Sequence, residues 1–272
     1  MEITATSVWT DLEAIRTQNP LIQNITNYVV MNNTANALLA LGASPAMVHA
    51  QEEVANFVNI ASALVVNIGT LSAPWVTGME VAMQQAAYAE KPVVLDPVGV
   101  GATPYRLHTV QKLLSQSTPS VIRGNASEIK ALVEHHVQSK GVDSTYSSDT
   151  AVEAATQLAR EIGCVVVVSG AKDYITDGTQ VLEVEGGHPL MGKVTGMGCT
   201  ASALIGAFLA VNPDALPAAT HAMTVMGIAG ELAAAKSSGP GTLQLHFYDA
   251  LYQLTLEQIE AHSRIRMLKT VD

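Results

Sequence analysis

A chain of 272 residues that is 48% apolar but only 4% aromatic builds its core from Ala, Val, Leu and Ile, and is long enough for one large α/β domain. Its net charge of −10, with no cluster of Lys or Arg, excludes a nucleic-acid surface, because acidic groups repel phosphates. Cys164 lies in a valine run and Cys199 in a glycine turn, which argues against a structural disulfide.

The first residues, M-E-I-T-A-T-S-V-W-T-D, have neither a basic region nor an apolar stretch, so no signal peptide is expected. Along the chain, short apolar runs at 46–48 (the weakest), 63–68, 92–95, 120–122 and 164–168 predict strands. Helices are predicted over 75–89, 150–162, 199–209, 216–236 and 249–262, with Thr150 and Glu153 spaced as a capping box. The polar segment 135–148 reads as a surface loop, and 237–242, S-S-G-P-G-T, as a loop after a long helix. The stretch 216–235 is the most membrane-like, but it carries His221 and Glu231 and reads as a buried helix. A cytoplasmic protein without membrane or nucleic-acid partners is the expectation. No repeat or linker divides the chain, so one domain over 1–272 is expected, α/β, with a central mostly parallel sheet covered by helices.

In such sheets, ligands bind outside the carboxyl ends of the strands. Asp96, Arg123, Asn125, Glu128 and Ser169 all fall just after an apolar run. The turn T-G-M-G-C (195–199) opens an apolar helix, and its glycines allow backbone N–H groups to approach an anion. The same turn also reads as a tight connection with Cys199 packed inside. Asp96, in V-V-L-D-P, can hold magnesium or cap its own turn. In R-G-N-A-S-E (123–128) Arg123 suits phosphate, while Asn125 and Glu128 also fit a capping box at a helix start. Residues 187–194, G-H-P-L-M-G-K-V, match the P-loop spacing, but Val194 replaces the hydroxyl that ligates magnesium, which rejects the motif. The eight histidines show no metal-site spacing.

Taken together, Q-N-I-T-N-Y-V-V-M-N-N-T-A-N (23–36), S-P-A-M (44–47), V-V-L-D-P-V-G-V-G-A-T (93–103), I-R-G-N-A-S-E-I (122–129), V-T-G-M-G-C (194–199) and S-G-P-G-T (238–242) resemble hydroxyethylthiazole kinase. The resemblance runs in order over most of the chain. It implies a ribokinase-like fold without a separate lid domain, and ATP- and Mg²⁺-dependent phosphorylation of the primary alcohol of 4-methyl-5-(2-hydroxyethyl)thiazole in thiamine salvage. It also implies a homotrimer with active sites between subunits. By position, Arg123 and Ser169 match ATP contacts, joined by Gly196, Met197 and Gly198 of the turn. Asp96 and Glu128 match the acidic positions near magnesium. Met47 and Gly196 match substrate contacts, with Asn24 and the residues up to Asn27 near the thiazole. Cys199 stands where the wider superfamily has its catalytic Asp, and Met197 replaces a frequent Thr.

Two rivals stay open at this point. Cys199 as a covalent acyl-transfer nucleophile needs a positioned base, with His188 or His221 as candidates. A nucleotide-sensing module needs the cradle but not Asp96, Glu128 and Cys199 together.

Overall fold

The computed structural model describes residues 3–136 and 148–270. One nine-stranded sheet runs through the described residues in the order β2-β1-β3-β4-β5-β6-β7-β8-β9. Its parallel part comprises β1 (Leu21–Ile25), β2 (Ser44–Met47), β3 (Ala63–Asn67), β4 (Val93–Asp96), β5 (Val121–Asn125) and β6 (Val165–Ser169). The antiparallel part adds β7 (Lys172–Thr176), β8 (Gln180–Glu185) and β9 (Ile265–Thr270).

Helices α1 (Ala5–Gln18), α2 (Met31–Leu41), α8 (Met197–Leu209), α9 (Ala215–Ala235), α10 (Pro240–Gln253) and α11 (Leu256–His262) cover one face. Helices α3 (Val54–Ile60), α4 (Ala73–Tyr88), α5 (Pro104–Gln116), α6 (Ala126–His136) and α7 (Ser148–Ile162) cover the other. Successive strand residues point to opposite faces. Thus Ala63 and Val65 join the α8 side of the core, while Leu64 and Val66 join the α4 side. Strands buried on both faces read as unbroken apolar runs, which is why β3 to β6 were visible in the sequence, whereas β1, with Gln23 and Asn24, was not predicted.

Small residues set the helix distances. A Cβ at Gly206 of α8 would lie 2.6 Å from Val65 Cγ2, so α8 sits directly on β3. The stretch 216–235 is indeed the buried helix α9, and among the described residues no helix is long and apolar enough to cross a membrane.

Three readings change. The helix expected over 249–262 is two helices, broken where Thr255 accepts from the Gln258 N–H at 3.3 Å and starts α11 with a capping box. The loop expected over 237–242 ends early, because Pro240 already opens α10, a position where its missing N–H costs nothing. Thr150 lies inside α7 rather than at its cap. The loop expected over 135–148 falls largely outside the described residues.

Candidate active site

The two-residue period of the strands builds the site. On the α8 face, the last buried apolar residue of five parallel strands is followed two positions later by a polar one towards the carboxyl end. The pairs are Ile22 then Asn24, Val65 then Asn67, Val94 then Asp96, Val121 then Arg123, and Val167 then Ser169. Register sets Asn67 opposite Asp96, while Asn24 lies opposite Val65, Arg123 opposite Val167 and Ser169 opposite Asn125, so the polar ends form a stepped row. The N-terminus of α8 stands over this row.

Gly196, the cap of α8, has φ +84°, the left-handed region that favours glycine. A Cβ there would lie 2.6 Å from Val30 Cγ1, so the β1–α2 turn closes on it. Gly196 brings no side chain to cap the first turn, which leaves helix N–H groups for a ligand. Gly198 is needed for a different reason: a Cβ would lie 2.7 Å from Arg123 Nη1. The guanidinium is therefore pressed against the turn. Arg123 also donates to Ser169 Oγ, and its Nη1 lies 3.9 Å from Asp96 Oδ2.

Beside this group opens a cleft of about 570 Å³. Arg123, Ser169, Met197 and Gly198 line one end of it, while Met191, Met223, Met226 and the Gly186–Gly187 backbone lie towards α9. Asp173, at the start of β7, also faces the cleft; burial pushes its carboxyl up to about 6, partly offset by the Gly170 N–H and by Arg123. Sequence analysis selected Ser169 but not Asp173, four residues on.

Asp96 is fully buried. Its Oδ2 accepts from Ser202 Oγ at 2.7 Å and from Asn67 Nδ2 at 2.8 Å, while Oδ1 has no partner. Burial raises its pKa above the usual carboxylate value, and Arg123, Ser202 and Asn67 counter only part of that. Glu128 arrives from α6, on the opposite face. Its Oε1 accepts from the Gly99 N–H and its Oε2 from the Asn125 N–H, both at 2.8 Å. Asn125 Oδ1 in turn accepts from the Glu128 N–H at 3.0 Å, so the capping box is real. It ties the D-P-V-G loop to the start of α6.

Among the described residues no group of three or more His, Cys, Asp or Glu could hold a metal by itself. Magnesium needs no such cage, since one or two carboxylates suffice when phosphate oxygens and waters complete its shell. The unpartnered Oδ1 of buried Asp96, with Glu128 nearby, fits that requirement.

Cys199 is half-buried. Its Sγ lies 3.5 Å from Asn27 Nδ2, and the Asn67 amide stands behind Asn27 at 3.0 Å. Burial pushes the thiol up to about 11, the Asp96 carboxylate adds to the rise, and the two amides and Arg123 offset part of it. The protonated thiol is therefore the resting form near neutral pH, not the thiolate that a helix N-terminus alone favours. Neither histidine proposed as an acyl-transfer base partners it. His221 is held by Asp11 at 2.6 Å and by Ser7 at 3.1 Å, and His188 Nδ1 accepts from the Leu190 N–H at 3.1 Å. That arrangement disfavours a nucleophilic thiol.

Met47 and Asn24 lie side by side in register on β2 and β1, at the sheet edge away from the cleft. Asn24 is buried, with Nδ2 donating to Ile22 O at 2.9 Å and Oδ1 unpaired. The rejected P-loop match coils as a 3₁₀ helix (Pro189–Lys193) ahead of the true turn.

The Hydroxyethylthiazole kinase family model matches residues 12–257. The chain is 56% identical over 266 residues to "Hydroxyethylthiazole kinase" of Syntrophus aciditrophicus, covering 97% of this chain and 98% of that one. It is 54% identical over 250 residues to the protein of the same name from Leptospira biflexa, covering 92% and 94%. A solved structure of hydroxyethylthiazole kinase protein from Pyrococcus horikoshii superposes with TM-score 0.91 at 41% identity, covering 97% of this chain and 100% of that one. A ribokinase-like superfamily protein from Enterococcus faecalis shares the fold alone, with TM-score 0.60 at 14% identity, covering 85% and 86%. The fold is thus ribokinase-like, and the chain belongs to the hydroxyethylthiazole kinase family.

Proposed function

We propose that this chain, a single kinase domain, transfers the γ-phosphoryl group of ATP to the primary alcohol of 4-methyl-5-(2-hydroxyethyl)thiazole, a salvage step of thiamine diphosphate biosynthesis. One observation carries the reading: the uncapped glycine turn of α8 lies between an open cleft lined by Arg123 and Ser169 and a buried carboxylate with a free oxygen. Phosphoryl transfer needs positioning and neutralisation of charge on the equatorial oxygens more than covalent help.

In this reading, ATP lies in the cleft with its phosphates towards Arg123, Ser169 and the N–H groups of Met197 and Gly198. Asp96 and Glu128 would hold magnesium, which when bound would supply positive charge to the phosphates. The acceptor enters from the β1–β2 side, past Met47, Asn24 and Gly196, and sets its hydroxyl beside Cys199. A neutral thiol is a poor base, so Cys199 orients the hydroxyl. In a loose transition state, the hydroxyl proton is free to leave late, towards a phosphate oxygen. Glu128 adds a second function, since its two backbone bonds hold the D-P-V-G loop in place.

We further propose a cytoplasmic homotrimer whose acceptor pockets lie between subunits. Light scattering of an active monomer at assay concentration would remove the shared pocket. A coupled ADP-release assay with the thiazole alcohol tests the activity itself, and turnover should require both alcohol and magnesium. ATP binding without turnover would replace the kinase with a nucleotide sensor, and a trapped acyl-enzyme would replace it with a thiol transferase.

A further inference from the structure

Asn67, the last residue of β3, stands between the buried carboxylate and the thiol. Its Nδ2 donates to Asp96 Oδ2 at 2.8 Å, which fixes the orientation of the amide, because an ionised carboxylate only accepts. Oδ1 must then be the acceptor, and it receives the Gly69 N–H at 2.9 Å and Asn27 Nδ2 at 3.0 Å. Asn27 Nδ2 spends its other hydrogen on Cys199 Sγ at 3.5 Å, so the path from Asn67 to the sulfur runs through Asn27. Both asparagines are buried. The packing admits nothing larger, since a Cβ at Gly69 would lie 2.5 Å from Asn27 Nδ2 and 2.9 Å from Asn67 Oδ1. The N-I-G-T turn (67–70) therefore has a purpose that the kinase reading alone does not use.

We propose that Asn67, supported by Asn27, is a positioning residue that couples Asp96 to Cys199. Together with Ser202 it holds one Asp96 oxygen and leaves the other unpaired for the cation and phosphate end. Its Oδ1 anchors the Asn27 amide, which donates to sulfur, so that the thiol keeps its own hydrogen for the oxygen of the acceptor alcohol. Donor-side charge and acceptor-side geometry are thereby set by one amide. This assignment rests on the kinase reading.

The experiment compares Asn67→Ala, Cys199→Ala and the double variant in the native protein, with calorimetric Kd values for magnesium and an unreactive ATP analogue and with the rate of Cys199 alkylation by iodoacetamide at pH 8. Asn67→Ala should lower kcat about 10- to 100-fold, the scale of a misplaced reacting group. The Kd for the analogue and the KM for the alcohol should move less than about threefold. Combined losses should fall at least about fivefold short of their product, as coupled residues do. Alkylation of Cys199 should slow in Asn67→Ala, because the Asn27 donor that favours the thiolate loses its anchor; Cys164 is buried and serves as the internal control. Should Asn67→Ala fail to fold, Asn27→Ala carries the same measurements on the sulfur arm alone. A folded variant with kcat within twofold of the parent, strictly multiplicative losses, or unchanged or faster alkylation would overturn the coupling. Failure of the parent to phosphorylate the alcohol would instead remove the kinase reading, and the alkylation rates would then decide the amide–sulfur link by themselves.

Discussion

The two flanks of the α8 N-terminus are built from the same row of strand ends, yet their environments differ. On one flank Arg123, Ser169 and Asp173 face an open cleft of about 570 Å³. On the other, Asp96, Asn67, Asn27 and Ser202 are buried and bonded to one another, and Cys199 closes the group. An open flank can admit and release a nucleotide with its hydration. A buried flank holds charges and dipoles where the low dielectric strengthens them, at the cost of burying Asp96. The cleft flank should therefore govern binding, and the buried flank the rate.

The largest expected effect breaks the buried flank. Asp96→Asn should lower kcat about tenfold to a thousandfold by removing charge stabilisation. Thermal unfolding should show no loss of Tm, because the variant no longer buries an ionised group that folding disfavours. Full activity in this variant at saturating ATP and low magnesium would end the assignment.

Next comes Cys199. Cys199→Ala should cost no more than about 10²-fold, the lower end of what a general base contributes, since the thiol only orients the hydroxyl. Cys199→Asp should retain activity or gain it, because a carboxylate there can accept the hydroxyl proton that the neutral thiol leaves to phosphate. A well-folded but inactive Asp variant would remove the kinase role of this residue. A buried packing cysteine gives a third pattern, with kcat unchanged in Ala and Tm lowered in Asp.

On the cleft flank, Ser169→Ala should raise the KM for ATP about three- to tenfold, with kcat nearly unchanged, the pattern of lost uniform binding. A fall in kcat with constant KM would erase the division between the flanks.

The smallest effect concerns Asp173. Folding raises its pKa from 3.8 to about 6, so the folded state binds this proton more tightly than the unfolded chain does. Stability contributed by this group is full below pH 3.8 and is lost as pH rises through about 6. Asp173→Asn removes that loss. Its Tm should match the parent's near pH 4 and exceed it by pH 7 to 8 in scans without nucleotide. A gain that shrinks as pH rises would contradict the sign.

The sequence by itself determined most of the parallel half of the sheet, because strands buried on both faces are mainly apolar, as in the run 164–168; β1 was not predicted, since Gln23 and Asn24 interrupt its pattern. It also marked Asp96, Arg123, Glu128, Ser169 and the glycine turn, since ligand chemistry at strand ends and helix starts depends on local residue types. The antiparallel strands were not legible. Lys172 pairs with Glu183 and Glu185 across β7 and β8, and Arg266 reaches Glu185 from β9, so charge and exposure interrupt the apolar pattern. Asn67 and Ser202 looked like ordinary polar residues, because their partner Asp96 is 29 residues away from one and 106 from the other. Only tertiary structure brought those donors to one oxygen and left the other free. It also decided the state of Cys199: the helix start favours a thiolate, but burial beside Asp96 outweighs that preference and keeps the proton on sulfur.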